Sequence, residues 1–317
     1  MYLGFVAVLM ISSLAAARAV AQEKAASSDG PAVRWSGYIQ ARETYRDGVG
    51  LTASINRARL SAAGNAAKDV TWRVQGEFRT GSVGTGRASV SLQDAYVRYR
   101  PGALGVQAGQ FKTPFTREFI TSLADVETAD RAVAVDSFAP KRDIGVMADY
   151  DFGSGSMVML GAFNGEGQNL TANADSSLLV VARATGRPFP FLTLGANVAD
   201  YAGDSTRYGA DVSLELAGAT VRGEYLAQRR DGLEIDDKGW YAVAAYRVVA
   251  WLQLAFRQED FRRSAISAES RHRASTAGAN LDLSGGKIRL TANYVSRKIG
   301  EPGVRRGTLI AQAQVKF

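Results

Sequence analysis

Residues 287–298 read KIRLTANYVSRK. Lys287, Arg289, Thr291, Asn293 and Arg297 share one parity, and Ile288, Leu290, Ala292 and Tyr294 share the other. Successive side chains of a β-strand point to opposite faces, so this stretch is a strand with one basic face and one apolar face. The same alternation recurs outward from it. Between 70 and 80, Val70, Trp72, Val74, Gly76 and Phe78 oppose Thr71, Arg73, Gln75, Glu77 and Arg79; between 251 and 259, Leu252, Leu254 and Phe256 oppose Gln253, Arg257 and Glu259.

Segments of this kind, bounded by turn residues, predict sixteen strands near 34–46, 54–63, 70–80, 89–100, 104–112, 142–151, 156–164, 178–187, 190–201, 206–216, 219–229, 238–248, 251–262, 272–283, 287–297 and 307–317. Their connections alternate between short ones, such as RPGA and SGG, and generally longer ones, such as GEGQNLTANADSS. Short turns at one rim and longer loops at the other, with an even strand count, are the pattern of a transmembrane antiparallel β-barrel. Sixteen strands enclose too wide a space for their own side chains to fill, so the interior holds water and the polar face is the inner one. An arginine facing lipid at mid-bilayer costs about 2–4 kcal/mol, which sends the many arginines inward. Trp35, Trp72, Trp240 and Trp251 fall near strand ends, as interfacial aromatic girdles do.

The 317-residue chain has 38 Lys and Arg, 31 Asp and Glu, one histidine, no cysteine and a formal charge of +7. The first 21 residues, MYLGFVAVLMISSLAAARAVA, read as an export signal ending in the small-x-small site Ala19-Val20-Ala21, which leaves 22–317 as one barrel domain. The basic residues recur at strand period and form no single patch or tail, which disfavours nucleic acid as a partner. Outer-membrane lipid is the expected surrounding. No cofactor is expected, since the chain lacks cysteine and paired histidines. The lone His272 is read as a solvated rim residue, so catalysis is not expected either.

On the inner face the parity count places Arg42, Arg57, Arg59, Arg73, Arg79, Arg98, Arg183, Arg222, Arg257, Lys287, Arg289, Arg297 and Lys316 against Glu77, Asp94, Asp211, Glu215, Glu224 and Glu259. A water-filled pore lined this way favours anions, and arginine suits oxyanions because its fork donates two parallel hydrogen bonds. The plain alternative is that these arginines pair with inner-face acids and brace the wall. The segment 112–142, KTPFTREFITSLADVETADRAVAVDSFAPKR, is the longest connection and starts from the rim of the longer loops. Folded inward, it would set the constriction with Lys112, Arg117, Arg131, Lys141 and Arg142, and Asp125, Glu127 and Asp130 would brace it.

The run GQFKTPFTREFITSLADVETADRA followed by APKRDIGV, together with GYIQARETY, INRARLSA, SLQDAYVRYRPG and the closing VKF, resembles the phosphate-selective porin O and P family. The resemblance implies a homotrimer of sixteen-stranded barrels whose strings of arginine and lysine conduct small inorganic anions, phosphate or polyphosphate among them. A general, non-selective porin is the nearest alternative. A barrel enzyme and a plugged structural barrel stand further off.

Overall fold

The computed structural model describes residues 33–80, 88–171, 173, 176–230, 236–264, 269–299 and 303–317. The export signal expected over 1–21 lies outside them. Sixteen antiparallel strands close into one barrel, each paired with its chain neighbours and β1 with β16. They are β1 (Arg34–Arg46), β2 (Gly50–Ala67), β3 (Val70–Arg79), β4 (Ser89–Tyr99), β5 (Leu104–Lys112), β6 (Arg142–Gly153), β7 (Ser156–Phe163) and β8 (Leu179–Phe189). The second half comprises β9 (Leu192–Tyr201), β10 (Ser205–Leu216), β11 (Ala219–Arg230), β12 (Asp236–Val249), β13 (Leu252–Ser264), β14 (Glu269–Leu283), β15 (Ile288–Ile299) and β16 (Arg305–Lys316). The barrel closes where Phe317 and Gly37 exchange backbone hydrogen bonds of 2.9 and 3.1 Å.

One rim carries only tight turns. At Ser154–Gly155 and Ala217–Gly218 both residues are left-handed (φ 54° and 79°, 50° and 80°), the turn geometry whose twist matches paired strands. The other rim is less uniform than the sequence suggests. β1–β2 and β9–β10 also join there through three-residue turns, because β2 starts at Gly50 and β10 at Ser205.

The outer face is apolar: Val74, Phe78, Val158, Leu160, Leu254, Phe256 and Tyr294 are all exposed. Two strands keep it so only through a phase slip. In β2, Asn56 is skipped between the pairs Gln40↔Arg57 and Ala41↔Ile55, so Leu51 and Ile55 before it and Leu60 after it all face outward. In β4, Gln93 is skipped between Gln75↔Asp94 and Gly76↔Leu92, which turns Val90, Leu92, Val97 and Tyr99 to the same side. Each bulge adds one inward polar side chain and aims the arginine or aspartate beside it into the lumen.

The segment between β5 and β6 folds into the barrel. Its neck is closed by the Thr113 N–H and hydroxyl, both donating to the Lys141 carbonyl at 2.9 Å. It carries two short helices, α1 (Arg117–Ile120) and α2 (Val133–Phe138). The lumen is therefore not water throughout. Phe115, Phe119, Val135 and Phe138 of the segment pack with inward-facing Phe111, Phe163, Leu179, Val181, Leu226, Tyr241 and Val243 in one buried cluster spanning β5 to β12. A barrel this wide leaves its inner face apolar where protein, and not water, covers it. At Gly239 a Cβ would come 2.8 Å from that of Ala134, so glycine there lets α2 lie directly on the wall.

Candidate functional site

The inward segment presents backbone groups with no strand partner, and buried ones must be satisfied. Glu224 on β11 accepts the N–H groups of Arg117 and Glu118 at 3.1 and 2.6 Å and the Tyr241 hydroxyl at 2.8 Å. It thereby caps the start of α1 together with Thr116, whose hydroxyl accepts from the Phe119 N–H at 3.0 Å. The other end of α1 is capped by cations. Lys112 donates to the carbonyls of Phe119, Ile120 and Thr121 at 2.7–3.0 Å. Arg131 donates to those of Glu118, Phe119 and Thr121 at 3.0–3.2 Å. Lys112 and Arg131 also lie over the Phe119 ring, 5.4 and 5.1 Å from its centroid.

Four expected pore cations hold the same segment. Arg42 reaches both Asp130 carboxylate oxygens at 2.9 and 3.0 Å and the Ala129 carbonyl. Arg257 donates to the Thr128 hydroxyl and the Asp130 carbonyl, each at 2.6 Å. Arg289 donates to the Val126 carbonyl at 3.3 Å and to Asp282 at 2.6 Å. Arg222 pairs with Glu127 and, at 2.5 Å, with Glu215. Asn280, Asn293 and Gln314 add bonds to Glu127, Ala129 and Ala124. None of the three is among the charged residues expected to line the pore, although each sits on the polar parity of its strand.

Two cavities flank the segment. One, of about 510 Å³, opens toward the short-turn rim; Arg59, Arg73, Lys112, Arg142 and Lys316 line it against the acids Asp94 and Asp125. The other, of about 70 Å³, lies toward the opposite rim; among the described residues Arg42, Arg46, Arg131, Arg257 and Arg297 line it against one acid, Asp130. Arg57 stands between, 3.5 Å from Glu77, which Arg59 and Arg79 also reach.

The remaining expected residues sit elsewhere. Arg98 is tied to Asp149 at 2.6 and 2.9 Å near the short-turn rim. Arg117 stays near Glu224 and lines neither cavity. Lys287 is exposed at the turn before β15 and is not on the wall, because its own residue caps the helical turn Ser284–Gly286. His272 is buried on β14 with Nε2 unpartnered, and is not a solvated rim group. Asp149 and Asp282 join the inner-face acids expected from sequence, since their apolar neighbours Ala148 and Tyr150, or Leu281 and Leu283, put them on the inner parity.

The loop acid Glu118 is fully enclosed. Burial pushes its carboxyl up to about 7, while Arg257, 3.9 Å away, opposes the shift.

The sequence profile of the phosphate-selective porin O and P family matches residues 35–222. That is more than half of the chain. The chain belongs to the phosphate-selective porin O and P family. It is an outer-membrane porin, a channel-forming β-barrel of the bacterial outer membrane.

Solved structures share the fold at low sequence identity. A loop-deleted OmpT, an outer membrane protein of Vibrio cholerae, superposes with a TM-score of 0.68 at 13% identity, over 91% of this porin and 100% of that chain. The outer membrane channel DcaP of Acinetobacter baumannii gives 0.65 at 14% identity, over 93% of this porin and 100% of that chain. An anion-selective porin from Comamonas acidovorans gives 0.66 at 14% identity, over 91% of this porin and 100% of that chain. No curated protein matches the sequence.

Proposed function

We propose that this porin passes anions by diffusion, through water left between the inward segment and the wall formed by β13–β16 and β1–β7. The observation that carries the reading is the charge of the two cavities in series. Five cations face two acids in the larger and one in the smaller. Even with many guanidinium groups paired, each cavity keeps an excess of positive charge. A unit charge pair 4 Å apart is worth about 4 kcal/mol at an effective dielectric near 20, enough to enrich anions and reject cations. Several such sites in series let an ion leave as well as enter.

Arg59, Arg73, Lys112 and Arg142 are the residues we assign to the larger cavity, and Arg42, Arg131 and Arg257 to the smaller. Arg222 and Arg289 act by holding the segment in place. Phosphate is the oxyanion the family name suggests as permeant. A homotrimer is the assembly we expect; one related barrel, OmpT of Vibrio cholerae, is described in a trimer form. Residues 1–21 serve in this reading as the export signal.

The test is the reversal potential of the purified porin in a planar bilayer across a potassium chloride gradient. The expected sign is that of chloride permeation, and a potassium-selective value would refute the proposal. Added phosphate should also lower the chloride current. A chloride current that phosphate leaves untouched would reduce the reading to a general anion porin.

A further inference from the structure

The larger cavity carries a surface that an inorganic ion cannot use. Besides its cations it is lined by Tyr96, Phe111, Met147 and Met159. Tyr96 stands edge-on to Phe111 with centroids 6.0 Å apart, and Phe111 continues into the buried cluster through Phe163 at 5.4 Å. On β6 and β7 the register pairs Met147 with Gly161 and Asp149 with Met159, which makes the two methionines diagonal neighbours on the inner face. Phe111 and Met147 are buried, 3% and 7% exposed, so Tyr96 and Met159, both half-buried, present the apolar face to the cavity's water, at a cost unless something apolar covers it. Polarizable thioethers beside aromatic rings form an adaptable apolar platform.

Among the cavity's cations, Arg73 is the least committed. Lys112 gives its three donors to three carbonyls, and Arg142 holds Asp94 at 2.8 Å. Arg73 bonds only the Ser61 hydroxyl at 3.1 Å, lies 3.6 Å from Asp94, and has a side chain 34% exposed. Its neighbour across the β3–β4 ladder is Tyr96, so the free guanidinium donors and the apolar platform adjoin.

We propose that this cavity is a binding site for amphipathic organic anions of the aromatic monocarboxylate class. The carboxylate is held by Arg73, and the ring lies on Tyr96 and Met159, which the buried Phe111 and Met147 back. The inference rests on the anion-pore reading and narrows it. A cavity of about 510 Å³ falls within the range of sites for small organic ligands.

Half-blocking concentrations of benzoate, acetate and inorganic phosphate for the chloride current, measured on the wild-type porin, test the proposal. Benzoate should block at about one-tenth of the acetate concentration, because only its ring removes apolar wall from water. Met159→Gln should move the benzoate-to-acetate ratio toward one. Arg73→Gln should weaken benzoate block, and Arg73→Lys should recover part of it; each variant is first checked for heat-modifiable migration of the folded barrel. A chloride-selective pore in which benzoate blocks no better than acetate would overturn this site while leaving the anion reading intact. So would a folded Met159→Gln porin with an unchanged ratio. A potassium-selective pore would overturn both readings.

Discussion

The barrel interior has two halves that one chain of alternating strands builds differently. From β5 to β12 the inner face meets the inward segment through Phe115, Val135, Phe138 and their wall partners in one buried cluster, and the larger cavity opens beside that cluster at Phe111, Met147 and Met159. From β13 through β16 to β4 the inner face meets the same segment, or open space, through arginine, asparagine and glutamine. The apolar half fixes where the segment lies; the polar half, left partly uncovered, decides what can pass. An apolar inner face thus implies neither a collapsed barrel nor a misassigned parity. It implies a segment that covers it.

The sharpest way to break this division is to cut the apolar half. Phe138 is 2% exposed and meets Phe261 edge-on at 5.5 Å. Phe138→Ala should remove about 3–5 kcal/mol of packing. The expected result is a segment open to protease, with a higher single-channel conductance and weaker ion selectivity. A milder cut is Glu224→Gln, which leaves the neutral side chain to accept from the N–H groups of Arg117 and Glu118. Loss of a charge-assisted bond of roughly 1.5–3 kcal/mol should speed hydrogen exchange at those two amides.

The segment should also respond to pH. Glu118 holds its proton up to about 7, above the usual carboxylate value, so the folded porin binds more protons than the unfolded chain between the two. Its contribution is thus present at low pH and is lost as pH rises through about 7. Protease susceptibility of the segment should rise between pH 6 and 8 in the wild type, and Glu118→Gln should flatten that rise. Smallest in stability is Arg73→Gln in the polar half. The side chain is partly exposed and weakly paired, so thermal unfolding should shift by no more than about 0.5 kcal/mol while anion selectivity falls.

Strand alternation made the barrel legible: VTWRVQGEFR and KIRLTANYVSRK each state which residues face lipid. It could not show the bulges at Asn56 and Gln93, because a phase slip of one residue reads as a flaw in the pattern and not as a feature. Nor could it separate arginines that line the pore from those that hold the segment. Arg59 and Arg289 look alike in sequence, and only the path of residues 113–141 gives Arg289 a carbonyl to bind. Phe111 and Phe163 were obscured for a related reason: alternation assigns a side of the wall, not what covers it.

The chain contains no cysteine, so single cysteines report on this division without background. Arg73→Cys places a thiol in the polar half, and Val181→Cys, at a position 0% exposed, places one in the apolar half. The most direct measurement is the change in chloride current when a negatively charged methanethiosulfonate is added to each open pore. The expected result is a prompt fall in current for Arg73→Cys and none for Val181→Cys. Equal reaction at both positions, or a silent Arg73→Cys, would contradict the division of the lumen into a packed half and a conducting half.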